Sequence, residues 1–308
     1  VHPEDLRSIE HVVHVELLRG REAQGDARPD LLVEVPHGAD EAGHYAALRA
    51  RLRGDLPEGL ELFFNINTDV GAWAYGRATA LALIARAPTR SVLLLRSLIP
   101  RTFVDCNRRA DYGGGRLDAG ALTPGIPDYV RDDDDRALLL DLHRSYLDVA
   151  AAAFACVCEG EGLALLPHSY GPRSLGIAAI DDRIVDNLRW ACAPERHDSW
   201  PLRAEVDLLT RDGEGRELAP PGMESELLAA FTRAGFEAKA NETYFVHPST
   251  MAHAWASAHP GRVIGLEVRR DLLVDAWTPF EPMRVRDDRC AQVGELLAGV
   301  LDERLAAR

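Results

Sequence analysis

Leu31-Leu32-Val33-Glu34-Val35-Pro36-His37-Gly38 is a short apolar run that stops at a proline and passes into a histidine at a turn. A stretch of this length and composition, bounded by proline and glycine, predicts a buried strand over 31–36, since helices need longer periodic segments. The same design returns in Leu163-Ala164-Leu165-Leu166-Pro167-His168, where the strand is predicted over 163–167. Two such strands in one parallel sheet would present both imidazoles at its carboxyl edge, where open α/β folds keep their ligands.

Outward from these two runs, strand and helix alternate. Helical patterns at 44–53 and 71–84 lie among strand-like runs at 61–66 (Glu-Leu-Phe-Phe-Asn-Ile), 91–96 and 101–105 (Arg-Thr-Phe-Val-Asp). The polar, glycine-rich stretch 112–127 reads as a long loop of the kind that covers a site. From 132 to 159, Leu138, Leu139, Leu142, Tyr146, Val149 and Phe154 recur near helical spacing behind four aspartates. Those carboxylates suit the positive end of a helix dipole and are read as a solvated first turn, not a cation site. Further on come a turn-rich loop at 211–222, a helix at 223–236, a strand at 262–268 that carries Glu267, and a closing amphipathic helix at 286–306. With no internal repeat and no dividing linker, the expectation is one α/β domain over 1–308, a mostly parallel central sheet flanked by helices.

The chain has 308 residues, enough for a large core. Asp and Glu outnumber Lys and Arg by 49 to 35, and the net charge of −14 argues against nucleic acid or an anionic membrane as partner. A small-molecule substrate is expected, and an acidic protein that takes an acidic substrate needs arginines within its pocket. The five cysteines are odd in number and follow no zinc-knuckle or disulfide spacing, so reduced, buried thiols are expected. No apolar run approaches the roughly 20 residues of a membrane span, the first residues lack signal-peptide features, and a cytoplasmic location is expected.

A hydrolytic metal centre needs about three protein ligands from His, Asp or Glu and an open position. His37 and His168, in matching contexts, are the strongest pair. For the third ligand Asp40, Glu41 and Asp69 all compete, and Asp69 also fits the N-cap of the helix at 71–84. His143 lies on the long helix, and His44, His247, His253 and His259 have no matching context. Tyr170 and Tyr244 are candidate hydrogen-bond donors to a ligand. No Gly-x-Ser-x-Gly elbow supports a serine nucleophile.

Five segments in order, Pro36-His37-Gly38, Thr68-Asp69, Arg101-Thr102-Phe103-Val104-Asp105-Cys106-Asn107-Arg108, His168-Ser169 and Glu267-Val268-Arg269-Arg270, resemble the N-formylglutamate amidohydrolase family. Some of them also resemble zinc carboxypeptidases and aspartoacylase. The resemblance implies a zinc carboxypeptidase-like fold and a zinc-dependent hydrolase acting on the amide bond of an N-acyl amino acid such as N-formylglutamate. It implies Zn2+ on His37, Asp69 and His168, with Glu267 as general base and proton shuttle. Arg101 would polarise the scissile carbonyl, Asn107 and Arg108 would hold a substrate carboxylate, and Asp105 would orient Arg101 or Arg108. Carboxypeptidase spacing would instead favour Asp40 as third ligand. Gly38, Val70 and Leu166-Pro167 depart from the family's Ser, Trp and Asp-Cys at those places. These departures leave open a metallocarboxypeptidase or deacylase with a larger substrate, and a binding protein without turnover.

Overall fold

The computed structural model describes residues 2–117 and 122–307. Seven strands form one sheet: β1 (Val13–Arg19), β2 (Leu31–Val35), β3 (Ser91–Ser97), β4 (Leu163–Tyr170), β5 (Val206–Leu209), β6 (Ala238–Ala240) and β7 (Val263–Arg269). Their spatial order is β1-β3-β2-β4-β7-β5-β6. The central strands β3, β2, β4 and β7 are parallel, whereas β1 runs antiparallel on β3 and β5 antiparallel on β7. β2 and β4 are therefore neighbours whose carboxyl ends share one edge, as the two Pro-His runs predict.

The central strands are mostly apolar because both faces are covered. Alternate residues divide between two cores: Leu32, Leu93, Leu95, Ala164 and Leu166 pack on one face, and Leu31, Val33, Leu94, Leu163 and Leu165 on the other. Helices α1 (Ala42–Arg49), α2 (Leu60–Asn67), α4 (Asp133–Cys158) and α5 (Ile184–Ala191) contribute to the first core. Helices α3 (Ala72–Arg86), α7 (Met223–Arg233) and α9 (Asp287–Ala306) contribute to the second. Two short helices, α6 (Pro194–His197) and α8 (Met251–Ala258), complete the set. The result is a single α/β domain with a mostly parallel sheet.

Three expectations are corrected. Residues 61–66 are helical, within α2: Leu60, Phe63 and Phe64 are buried while Glu61 is exposed, a spacing of three and four rather than alternation. Residues 101–105 form a turn instead of a strand. Phe103 N and Val104 N both bond Pro100 O, at 3.0 and 3.4 Å, and Thr102, Phe103 and Val104 are all buried without alternation. The strand expected to stop at Pro167 continues to Tyr170. Its ladder to β2 ends at Leu165, so Pro167 lies where β4 keeps only β7 as neighbour and a missing donor is tolerated. Of the loop 112–127, the described residues contain no α-helix or strand, and 118–121 lie outside the described residues. All five cysteines are free thiols. Among the described residues no helix is long and apolar enough to cross a membrane.

Candidate functional site

Where β2 ends, the Pro36-His37 turn places His37 beside His168 of β4, with ring centroids 5.1 Å apart. Asp69 arrives from the connection between α2 and α3. The N-cap of α3 is Gly71, at φ 90°, a left-handed conformation that glycine adopts without strain. Asp69 is therefore not the cap its position suggested, and its carboxylate turns to the histidines. His37 Nδ1 and His168 Nδ1 converge on the same oxygen, Asp69 Oδ2, at 3.2 and 3.1 Å. All three side chains are buried, and their candidate ligand atoms lie within 4.8 Å of one another. Ser169 N donates to Oδ2 at 3.3 Å and Arg101 Nη1 to Oδ1 at 3.2 Å. Burial opposes ionisation of Asp69, but His37, His168 and Arg101 outweigh it and hold the carboxyl well below the usual carboxylate range.

Asp105 sets the protonation pattern. His37 Nε2 lies 2.7 Å from Asp105 Oδ1, and Asp105 is held ionised by His37, Arg101 and Arg108 against its burial. An ionised carboxylate only accepts, so Nε2 is the nitrogen that donates to Asp105, and Nδ1 is the one turned to Asp69 Oδ2. The two Nδ1 atoms and Asp69 Oδ2 thus meet at one point, as ligand atoms around a cation would. A carboxylate on the far nitrogen of a ligating histidine is the usual support for a metal-bound imidazole. The donor set therefore fits a divalent metal ion. Asp105 Oδ2 also accepts from Arg101 Nη2 at 3.0 Å, so Arg101 bridges the Asp69 and Asp105 carboxylates.

Glu267 stands on β7 in register with His168. Its Oε2 is buried and has no hydrogen-bond partner among the described residues. Burial pushes its carboxyl up to about 7, with the Asp69 charge reinforcing the shift and His168 opposing it. These groups line a cavity of about 520 Å³ that also takes in Asn107, Arg108, Arg203, Arg270, Tyr244 and Trp277. Arg108 is buried; its Nε donates to Thr123 O at 3.2 Å and its Nη1 to Asn107 O at 3.1 Å, and Asp105 acts on its charge without a direct ion pair. Asn107 Oδ1 accepts from Ala252 N at 3.0 Å, tying the cavity wall to α8. Among the described residues the only carboxylates in the lining are Asp69 and Glu267, set against Arg101, Arg108, Arg173, Arg203 and Arg270.

The structure thus brings His37, Asp69, His168, Glu267, Arg101, Asn107 and Arg108 into one cavity. It does not bring in Asp40 and Glu41, which pair with Arg96 at 2.7 and 3.0 Å beside His44 in a separate, partly exposed cluster. His143 is buried on α4, where its Nε2 meets Arg108 O at 2.9 Å. His247 lines the cavity with its Nδ1 held by Ser249 Oγ at 2.7 Å. Sequence reading missed Arg270 and Arg203. Arg270 is fully buried, donates to Ile66 O at 2.8 Å and Ser169 O at 2.9 Å, and has its pKa lowered to about 10 by burial. Its signal was the second arginine after Glu267, at the end of a buried strand. Arg203 has a guanidinium 5.0 and 5.4 Å from the rings of Tyr170 and Tyr244 and donates to Tyr244 OH at 3.1 Å. It lies in an irregular stretch with no pattern to mark it.

An N-formylglutamate amidohydrolase from Ralstonia eutropha JMP134 superposes with a TM-score of 0.54 at 16% identity, over 95% of this chain and 97% of that one. The chain shares that enzyme's fold. The gene product Atu2144 from Agrobacterium tumefaciens gives a TM-score of 0.50 at 16% identity, over 96% and 95% of the two chains. A metallo-carboxypeptidase from Burkholderia cenocepacia is more distant, with a TM-score of 0.41 at 10% identity over 95% of this chain and 61% of that one. No family model matches the sequence, and no curated protein is similar to it at a significant level.

Proposed function

We propose that the chain is a zinc-dependent amidohydrolase that cleaves the amide bond of an N-acyl amino acid, with the ion on His37, Asp69 and His168. The observation that carries this reading is the convergence of two imidazole Nδ1 atoms on one Asp69 oxygen, with Glu267, whose buried Oε2 has no hydrogen-bond partner among the described residues, in the same cavity. Two imidazoles and one carboxylate form a donor set suited to zinc. The shared fold with an N-formylglutamate amidohydrolase agrees with that chemistry.

When bound, such an ion lowers the pKa of a water molecule to about 7 and polarises a carbonyl oxygen. Glu267 Oε2 takes the proton of the attacking water and returns it to the leaving amine nitrogen. A carboxyl pushed up to about 7 is suited to both transfers near neutral pH. Arg101, with its position fixed by Asp69 and Asp105, supplies positive charge where the carbonyl oxygen becomes negative. Arg108 presents a planar fork to the carboxylate of the amino-acid part, and Asn107 sets the wall beside it. The excess of arginine in the cavity of a chain whose net charge is −14 favours an anionic substrate.

Metal content of the purified protein tests the centre, and release of free amine from N-acyl glutamates tests the reaction. His37→Ala, His168→Ala and Asp69→Ala are expected to lose zinc, whereas Asp40→Ala, whose carboxylate serves Arg96, keeps it. Full zinc retention in both histidine variants, or loss in Asp40→Ala alone, removes the assignment.

A further inference from the structure

The lining of the cavity is uneven in polarity. Away from the His37-Asp69-His168 cluster its charged and hydroxyl-bearing groups include Arg108, Arg173, Arg203 and Tyr244, with Arg203 donating to Tyr244 OH at 3.1 Å. A group of its apolar side chains comes from Phe63 and Ile66 on α2, from Leu175, Ile177 and Ile180 on the stretch that leads into α5, and from Ile184 on α5 itself. Along α5 the apolar residues Ile184 and Leu188 face inward at helical spacing, while Asp186 and Arg189 are exposed, so no charged side chain of α5 reaches the lining. Ile66 stands three residues before Asp69, and its carbonyl is held by Arg270, so the apolar part adjoins the His37-Asp69-His168 cluster. At about 520 Å³ the cavity falls within the range of roughly 300–1,000 Å³ that encloses drug-sized ligands. A one-carbon acyl group would gain nothing from the isoleucine and leucine side chains.

We infer that this apolar part receives the acyl group, so that the preferred substrate is an N-acyl amino acid with a medium-length or branched aliphatic chain. The inference rests on the proposed amidohydrolase reading. The amino-acid part carries the carboxylate and belongs with Arg108 and Arg203, beside which an apolar side chain would strip water from charged groups without compensation. That leaves the aliphatic partner for the acyl side of the scissile bond.

The zinc-loaded Glu267→Gln protein binds without turning over, so calorimetric Kd values can be measured for N-formyl-, N-butanoyl- and N-hexanoyl-glutamate. Affinity is expected to rise roughly fourfold per buried methylene, and the half-buried Leu175→Asp is expected to flatten the series. The wild-type protein, given the same compounds, reports hydrolysis separately. Equal affinity for formyl and hexanoyl overturns the inference, as does tightening for N-formyl-leucine over N-formyl-glutamate with a flat acyl series, which would place the amino-acid side chain in the apolar part. Hydrolysis of N-formylglutamate with a flat series sinks the inference alone. A rising series without hydrolysis of any member supports the apolar subsite and removes the amidohydrolase reaction.

Discussion

Asp105→Asn keeps the shape of the side chain and changes what it can accept. In the native protein Asp105 Oδ1 takes His37 Nε2 at 2.7 Å and Asn107 N at 2.9 Å, while Oδ2 takes Arg101 Nη2 at 3.0 Å and Thr123 Oγ1 at 3.3 Å. All four partners are donors, and an amide has only one oxygen to offer them. If that oxygen faces His37, the amide NH2 meets the Arg101 guanidinium, donor against donor, and the group that supports Asp69 loses its anchor. If it faces Arg101, the NH2 meets His37 Nε2 and forces the proton to Nδ1, the atom that must carry a lone pair towards the ion. Either orientation weakens the centre. Loss of the carboxylate behind a metal-bound histidine lowers metal affinity by about 10–100-fold, or about 1.4–2.8 kcal/mol. Zinc affinity measured by competition with a chromophoric chelator is the assay, with circular dichroism confirming that the variant is folded. An affinity within about twofold of wild type in a folded variant would refute the support that Asp105 is assigned to give His37.

Glu267→Gln is expected to retain zinc while kcat on an N-acyl amino acid falls by about 10²–10⁴-fold, since the amide cannot accept the proton. Arg108→Ala is expected to act mainly through KM, whereas Arg101→Ala lowers kcat and also weakens zinc, because the Arg101 guanidinium bridges Asp69 and Asp105. Gly294→Ala would put a Cβ 2.7 Å from the backbone nitrogen of Thr79 where α9 crosses α3. It is expected to destabilise the fold by about 1–3 kcal/mol in a denaturant titration with zinc affinity unchanged, and an unaltered midpoint would contradict the close approach of the two helices. Glu34 is buried in β2, where its carboxylate accepts from Tyr146 OH, and burial pushes its pKa from 4.5 to about 7. Folding therefore favours the protonated form, and this contribution, full below about pH 4.5, is lost as pH rises to about 7. Glu34→Gln removes that loss and is expected to gain about 2–3 kcal/mol over wild type at pH 8 and little at pH 4.5; an equal difference at both pH values counts against a raised Glu34.

The elements that hold the centre were legible because their signals are local. The runs 31–36 and 163–167 are short, apolar and bounded by Pro-His, and the sheet does set them side by side as β2 and β4. The strand at 263–269 and the helices α3, α4 and α9 likewise follow their apolar spacing. α2 was misread because a run such as Leu-Phe-Phe-Asn-Ile is compatible with both periods, and what decides it is burial against α5 and the first core, which a short window does not contain. β5 and β6 have four and three residues and draw their stability from β7 and from each other. β1 is an edge strand with Glu16 and His14 among its residues, and its polar positions are explained only by Arg77 and Trp73 across the gap.

Site residues follow the same division between local and distant causes. His168 and Glu267 sit on strands and His37 just beyond one, with the three ends at one edge, so strand recognition already brings them together. Asp69 is in a connection, and its sequence position suited a helix cap as well as a ligand. What separates the two roles is Gly71, which takes the cap position, and Arg101 and Ser169, which hold the carboxylate from elsewhere in the chain. Arg203 depends on tyrosines 33 residues before it and 41 after it for its placement, contacts that no motif encodes. The apolar part of the cavity was invisible for a different reason. Ile177, Ile180 and Ile184 belong to the same buried cluster as the sheet residues Leu93 and Leu166. Composition cannot separate a side chain that fills the core from one that borders an opening. The distinction arises from the packing of α2 and α5 beside the His37-Asp69-His168 cluster, and substrate preference, unlike metal chemistry, is therefore a property of how helices meet rather than of any residue that carries a charge.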